Sequence, residues 1–439
     1  MESLPFPPVH TPSIVPHIAS VLIVGAFLVA IAPFPAGAVS IPLESIPARV
    51  REANPSLSAA RFRIEEARGR LQSAGRLPNP DAGFEFAPNM RGREVTVGIS
   101  FEQRFPLTAR LRLEKAVSAA ELTKAEDEIL DIERHTIAAA EEAGIRWLAV
   151  TMLTELRARQ ATNAGEQADF LEQRASVGEG SSLDAGQSRL EAARLSHEAR
   201  QIDAQRLALD GELRALLGIS DREPITITGR LEAPQGGSSR AIRSGDFDAA
   251  RRPDLRALLH EQRAADHSLA LERARRWDDI AVQAFVEIER AEDVPDGLET
   301  DRFIGLGFTI PLPWWNRNEG AVQEARARAA RARGESTALE AAIRNDVGTA
   351  RAEMEMQARL AAESSDTLLR LGEDQLKRIE EAYTSGQAPL TDVLRARDQL
   401  LDIRHARIEA LRDYHLARVR FESATARHSA PPSSATPRK

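Results

Sequence analysis

Two stretches roughly two hundred residues apart carry the same landmarks in the same order, and this constrains the chain more than any single motif. GEGSSLD from Gly178 to Asp184 and GQAPLTD from Gly386 to Asp392 both place a glycine six positions before an aspartate. Upstream, FEQRFP from Phe101 to Pro106 answers FTIPLP from Phe308 to Pro313, and Asn54-Pro55-Ser56-Leu57 answers Arg252-Pro253-Asp254-Leu255, each opening helical text. An ordered set of this kind marks a duplicated unit.

The composition suits an elongated object better than a compact core. Of 439 residues, 28% are charged and only 5% aromatic, as in long solvent-washed helices. The net charge of −8 comes from interleaved acids and bases with no basic stripe, which argues against a nucleic-acid partner. Cysteine is absent, so disulfides, thiolate metal sites, cysteine nucleophiles and cysteine-linked lipid anchors are all excluded.

The first residues read as an export signal. Ile18 to Ile31 is an apolar run followed by Ala36-Gly37-Ala38, which predicts a signal peptide over 1–38 cleaved before Val39, although no Lys or Arg precedes the run. The run is shorter than the roughly 20 residues a spanning helix needs, and nothing later approaches one. An exported chain of this kind is periplasmic, secreted, or a β-barrel of the outer membrane.

The repeats divide the rest. A first repeat, 39–230, reads as a helix from Pro42 to Leu77 stopped by Pro78-Asn79-Pro80, a β-hairpin over 81–105 and a long helical hairpin over 107–217, with PITITG at Pro224 to Gly229 as a short strand. A Pro/Gly/Ser-rich linker, 231–243, leads to the second repeat, 244–428. There a helix, a β-hairpin over 280–312 and a helical hairpin over 317–426 recur, and a disordered tail fills 429–439.

The strands alternate strictly. Val95, Val97, Ile99 and Phe101 oppose Thr96, Gly98, Ser100 and Glu102; Ile280, Val282, Ala284, Val286 and Ile288 oppose Gln283, Glu287 and Glu289. In the fourth strand Ile304, Leu306, Phe308, Ile310 and Leu312 share one face, with Gly305, Gly307 and Thr309 opposite. Strands of about ten residues with one apolar face suit a membrane β-barrel. Trp277 before the third strand and Trp314 and Trp315 after the fourth stand where an interfacial aromatic girdle belongs.

The helices carry heptad seams, such as Leu122, Ala125, Ile129, Ile132, Thr136, Ala139 and Ala143 in the first. The last helix carries two, one through Leu400, Ile403, Arg407 and Ala410 and another through Leu394, Leu401, Ile408 and Leu411. Two narrow seams mean a neighbour on each side, hence a curved wall of helices. Four membrane strands cannot close a barrel, and an open edge is not tolerated in lipid, so closure is oligomeric. Three chains would supply twelve strands and twelve helical columns.

In these features the chain resembles the outer membrane factors, the TolC-like exit ducts of tripartite efflux and type I secretion. The likeness covers the whole mature chain and rests on Pro78-Asn79-Pro80, Ile310-Pro311-Leu312-Pro313 through Asn316-Arg317-Asn318-Glu319-Gly320, and the two turns. The second turn is the fuller copy, with Gly386, Leu390, Asp392 and Val393, whereas the first keeps Gly178 and Asp184 but has Ser182 at the apolar position. Pro311 to Gly320 also looks like the branch serving heavy-metal cations.

The resemblance implies a mainly α fold with membrane β-strands, forming an α-barrel on a trimeric 12-stranded β-barrel. It implies an outer-membrane homotrimer that docks onto a periplasmic adaptor (a membrane fusion protein) and, through it, an inner-membrane pump of the RND type. Val177, Gly178, Ser182, Asp184, Ser385, Gly386 and Leu390 become adaptor-facing tips. Asp392 falls at the periplasmic gate, where some relatives have a second acid three positions on and this chain has Arg395. The bland alternative for Asp184 and Asp392 is a helix N-cap; it is the favoured reading for Asp184.

No catalytic, metal or phosphate constellation stands out, and neither enzyme activity nor a cofactor is expected. His260 and His267 lie about 10.5 Å apart along a helix, too far to share an ion. A periplasmic coiled-coil adaptor or scaffold would also be exported and helical, but it needs one helical hairpin rather than two, and not four alternating strands.

Overall fold

A computed structural model describes residues 39–89, 94–221, 223–234, 247–293, 297–364 and 366–427. The signal peptide over 1–38, positions 235–243 of the linker and the tail over 429–439 lie outside the described residues.

The described chain opens with an element just before the expected helix, to which the sequence reading assigned nothing. Val39–Pro42 forms strand β1, which pairs in parallel with β4, Ile225–Thr228, bringing Ile41 opposite Ile227. The expected single helix after Pro42 is two, α1 (Ile46–Ala53) and α2 (Pro55–Ser73), broken at Asn54. Pro55 lacks the N–H an uninterrupted helix would use there, and Asn54 turns the break into a cap. Its Oδ1 accepts from the Leu57 N–H at 2.7 Å and its Nδ2 donates to the Leu216 carbonyl at 2.8 Å.

Two helical hairpins dominate the molecule. Helices α3 (Arg110–Ser176) and α4 (Ser182–Leu217) form the first. At 1.5 Å per residue, the 67 residues of α3 run about 100 Å. After α5 (Pro253–Ala274), the second hairpin consists of α6 (Glu319–Glu363), α7 (Asp366–Thr384) and α8 (Leu390–Ala424). The unbroken helix expected from 317 to 384 is interrupted after Glu363. There the Ser364 hydroxyl and N–H both donate to the Leu360 carbonyl, at 2.9 and 3.0 Å, and close the ladder.

The main core lies part-way along α3, where the short elements wrap it. Ile46, Val50 and Leu57 pack with Ile137, Ala140, Ala143, Ile145 and Leu148, joined by Leu213 and Leu217 from α4 and Ile408, Leu411 and Val419 from α8. Here α3 is buried on more than its heptad seam, because α1, α4, β4 and α8 surround it. Trp147 is a packing residue whose Nε1 donates to Asp210 at 2.6 Å. Both seams of α8 are buried, with Leu400 and Phe421 on one and Leu401, Ile408 and Leu411 on the other.

The four long strands form one antiparallel sheet in the order β2-β3-β5-β6, made of β2 (Asp81–Pro88), β3 (Val95–Phe105), β5 (Ile280–Asp293) and β6 (Gly297–Thr309). The central pairing joins the two hairpins, with Phe101 opposite Ala284 and Val97 opposite Ile288. Strand β6 stops at Thr309 rather than Leu312, since Pro311 and Pro313 cannot donate to a ladder. At the other end β5 and β6 outrun their neighbours: pairing continues from Ala291 to Asp293, past the last β3 partner at Arg290.

Candidate functional site

The sheet has two chemically opposite faces. Phe84, Ile99, Val286 and Ile304 form one row across all four strands, and Ala82, Phe101, Ala284 and Leu306 the next. These side chains face outward with no layer over them, and Ile304 is 86% exposed. A contiguous apolar band on an uncovered sheet is what lipid, rather than water, accommodates. No helix among the described residues is long and apolar enough to cross a membrane.

The opposite face carries Asp81, Glu102, Gln283 and Gly307 in one row, Gly83, Ser100, Phe285 and Gly305 in the next, and Glu85, Gly98, Glu287 and Phe303 beyond them. Every charged side chain in these rows is a carboxylate. Phe285 and Phe303 were not foreseen there. The Phe285 ring lies against Gly305, where a Cβ would fall 2.3 Å from the ring, so the glycine is the space the ring occupies.

At the far end of the helical hairpins the two turns are built alike. Gly178 (φ +79°) receives the chain from α3: its N–H donates to Ala175 at 3.1 Å and the Glu179 N–H to Arg174 at 2.9 Å. Gly386 (φ +73°) does the same after α7, with Gly386 N–H to Tyr383 at 3.0 Å and Gln387 N–H to Ala382 at 2.8 Å. Both are Schellman turns, whose left-handed residue is usually glycine. Val177, Gly178, Ser182, Ser385 and Gly386 are all exposed at these tips.

Two expectations change here. Asp184 is not the N-cap of α4; Ser181 is, its Oγ accepting from the Asp184 N–H at 3.3 Å, so Asp184 sits in the first turn where a carboxylate meets the positive helix end. Leu390 does not face outward. It is 2% exposed, packed with Val393, Leu171 and Ala185 in a small core that locks the two tips together. Asp392, in the first turn of α8, accepts from the Arg395 guanidinium at 3.1 Å within the same chain, and both remain solvent-accessible.

Above the tips, ion pairs cross between helices. Arg194 of α4 meets Asp398 of α8 at 2.7 Å, Arg404 of α8 meets Glu373 of α7 at 2.7 Å, and Arg397 of α8 bonds both Glu380 of α7 and Gln167 of α3. The Glu191 hydrogen bond holds the Arg194 guanidinium above its ordinary range. Sequence reading missed these contacts, since the partners on α3 and α4 lie some two hundred residues from those on α8. It also missed the buried Arg134, which donates to Asp131 at 2.6 Å and to the Ser423 carbonyl at 2.9 Å. Burial beside Arg134 pushes the His135 imidazolium down, whereas burial of Asp254 is outweighed by Arg252, the Leu255 N–H and Arg134 together, which hold that carboxyl low.

Trp277, Trp314 and Trp315 all lie at the helical end of the sheet and are exposed, with Trp314 and Trp315 tilted at 6.1 Å between centroids. Trp277 and Trp315 also line a cleft with Glu102, Arg104 and Asp278, so they border the polar side as well. Among the described residues no three His, Asp or Glu side chains gather as metal ligands would.

A four-stranded sheet with a bare apolar face thus carries two long helical hairpins. Residues 249–427 match the family model of the outer membrane efflux protein. The solved structure of CusC is similar over 88% of this chain and 92% of its own, with a TM-score of 0.70 and 15% identity. VceC of Vibrio cholerae, an outer membrane protein, matches over 87% and 95% with 0.67 and 20%, and the CmeC outer membrane channel of Campylobacter jejuni over 87% and 85% with 0.71 and 14%. At such identities the structures speak for the fold alone. No curated protein sequence matches the chain. The second half of the chain thus matches the outer membrane efflux protein model, and about 87% of the chain shares the fold of these solved channels.

Proposed function

We propose that the chain is an outer membrane efflux channel, the passive exit duct of a tripartite system, with its sheet in the outer membrane and its helices in the periplasm, closed as a homotrimer and docked through a periplasmic adaptor to an inner-membrane pump. The observation that carries the reading is the four-stranded sheet with a bare apolar face and two unpaired edges, β2 and β6. One chain cannot satisfy those edges in lipid, and three copies supply twelve strands. Each repeat, 39–230 and 244–428, then contributes one strand hairpin, one helical hairpin and one tip.

The helices support the same closure. Along α4, Leu183, Gly186, Leu190, Ala193, His197, Ala204, Leu207 and Gly211 follow heptad spacing and are all exposed, an unpartnered seam at the end of the wall. A neighbouring copy would cover it. The exposed tip residues Val177, Gly178, Ser182, Ser385 and Gly386, with Asp184 beside them, are assigned to the adaptor, and Asp392 with Arg395 to the gate. Trp277, Trp314 and Trp315 are assigned to the membrane interface.

The polar face of the sheet becomes the lumen. Its acids Asp81, Glu85, Glu102, Glu287, Glu289 and Asp301 outnumber Arg104 and favour cationic cargo, heavy-metal cations included. Chemical work belongs to the pump. Fractionation tests the duct: recovery in the outer membrane as a heat-sensitive oligomer is expected, and a soluble monomer overturns it. A deletion strain grown on metals, dyes and antibiotics tests the cargo; sensitivity confined to anionic compounds would count against the cation preference.

A further inference from the structure

The two helical hairpins are clamped twice, by the tip core around Leu390 and by the main core around Ile137, and between these clamps they part. The gap is a cavity of about 340 Å³ shared by α3, α4, α7 and α8. Its apolar wall is Leu195, Leu376, Leu394, Leu400 and Leu401. Its charged groups are already matched, Arg397 with Glu380, Arg404 with Glu373 and Glu191 with Arg194.

Two neutral polar atoms in that wall are not matched. Ser188 is 2% exposed and its hydroxyl has no hydrogen-bond partner among the described residues; the Gln160 carbonyl oxygen is also buried without one among them. Leaving a buried donor or acceptor unpaired is costly, and a leucine or alanine at either position would avoid that cost. The volume is in the range of small-molecule sites, which combine apolar walls with a few placed polar groups.

We propose that this cavity is a binding site for a small uncharged amphiphile bearing an amide or alcohol. Its apolar body fills the leucine wall, its oxygen accepts from Ser188 and its N–H or O–H donates to Gln160. Charge on the ligand is disfavoured because every charged group around it is paired. Such a ligand ties together a hairpin from each half of the chain. Binding does not rest on the exit-duct reading, so the two fail independently.

The test is calorimetric titration of the detergent-solubilised full chain with 4-tert-butylbenzamide. Saturable binding is expected, weakened about tenfold in Ser188→Ala and abolished in Ala164→Phe, which fills the cavity. Ser188→Ala removes one oxygen and keeps the conclusion testable if the phenylalanine disturbs folding. No saturable binding by the natural chain, or equal uptake by all three proteins as from micelle partitioning, overturns the proposal.

Discussion

Asn54 does three jobs with one side chain: it ends α1, starts α2 and holds the end of α4. Replacing it with alanine removes the bond to Leu57 N–H and leaves the Leu216 carbonyl without its amide. Asn54→Ala is expected to cost about 1–3 kcal/mol, read as a lower dissociation temperature of the assembled protein. His415 makes a pH-dependent contribution. Burial pushes its imidazolium down to about 4, while its Nε2 bonds the Glu232 carbonyl at 3.0 Å. Because the folded value lies below the unfolded one, near 6.5, stability from the neutral ring is full above about pH 6.5 and is lost as pH falls toward 4. His415→Gln should flatten that slope, measured as dissociation temperature between pH 7 and pH 4; an unchanged slope would assign it to other groups, His135 first. At this scale the sequence was least legible. The aspartate of each tip was visible by its spacing from glycine, but whether Ser181 or Asp184 caps α4 depends on backbone angles, and Arg134 finds Ser423 only after folding.

Elements were more legible where a single period governed them. The alternation through β3, β5 and β6 marks both faces correctly because one residue of slippage would invert the sheet. It could not show that β3 pairs with β5, since a long-range ladder leaves no periodic trace, and four residues are too short a run for it to mark β1. The tip turns yield a prediction of their own. Nothing lies within 4 Å of a Cβ at Gly386, so a substitution there is resisted by the backbone conformation alone. Gly386→Val should therefore strain the tip by at least about 1–2 kcal/mol, reducing efflux while membrane insertion stays normal, and Gly386→Asn should be tolerated. Normal resistance in the valine strain would detach the tip from adaptor docking. Gly305 is the opposite case, a steric one. Gly305→Ala should lower the yield of assembled oligomer on unheated gels, and adding Phe285→Ala should restore it by removing the ring it strikes.

For the whole molecule the decisive fact is incompleteness: β2 and β6 end the sheet, and α4 ends the wall with leucines facing outward. The repeat made a duplicated, open architecture legible, but not how the halves dock, because the clamps around Leu390 and around Ile137 join residues with no local relation in sequence. Leu183 and Leu190 are 68% and 72% exposed in a single chain, so charge at either position should cost an isolated chain no more than about 0.5 kcal/mol. If a second copy covers that seam, the same charge must be desolvated against an apolar neighbour. Leu183→Lys with Leu190→Lys is therefore expected to leave the helical content by circular dichroism unchanged and to lower the heat at which the oligomer dissociates, or to leave monomers. An oligomer as heat-resistant as the natural one would place the subunit contact on another face and leave the α4 seam free for the adaptor.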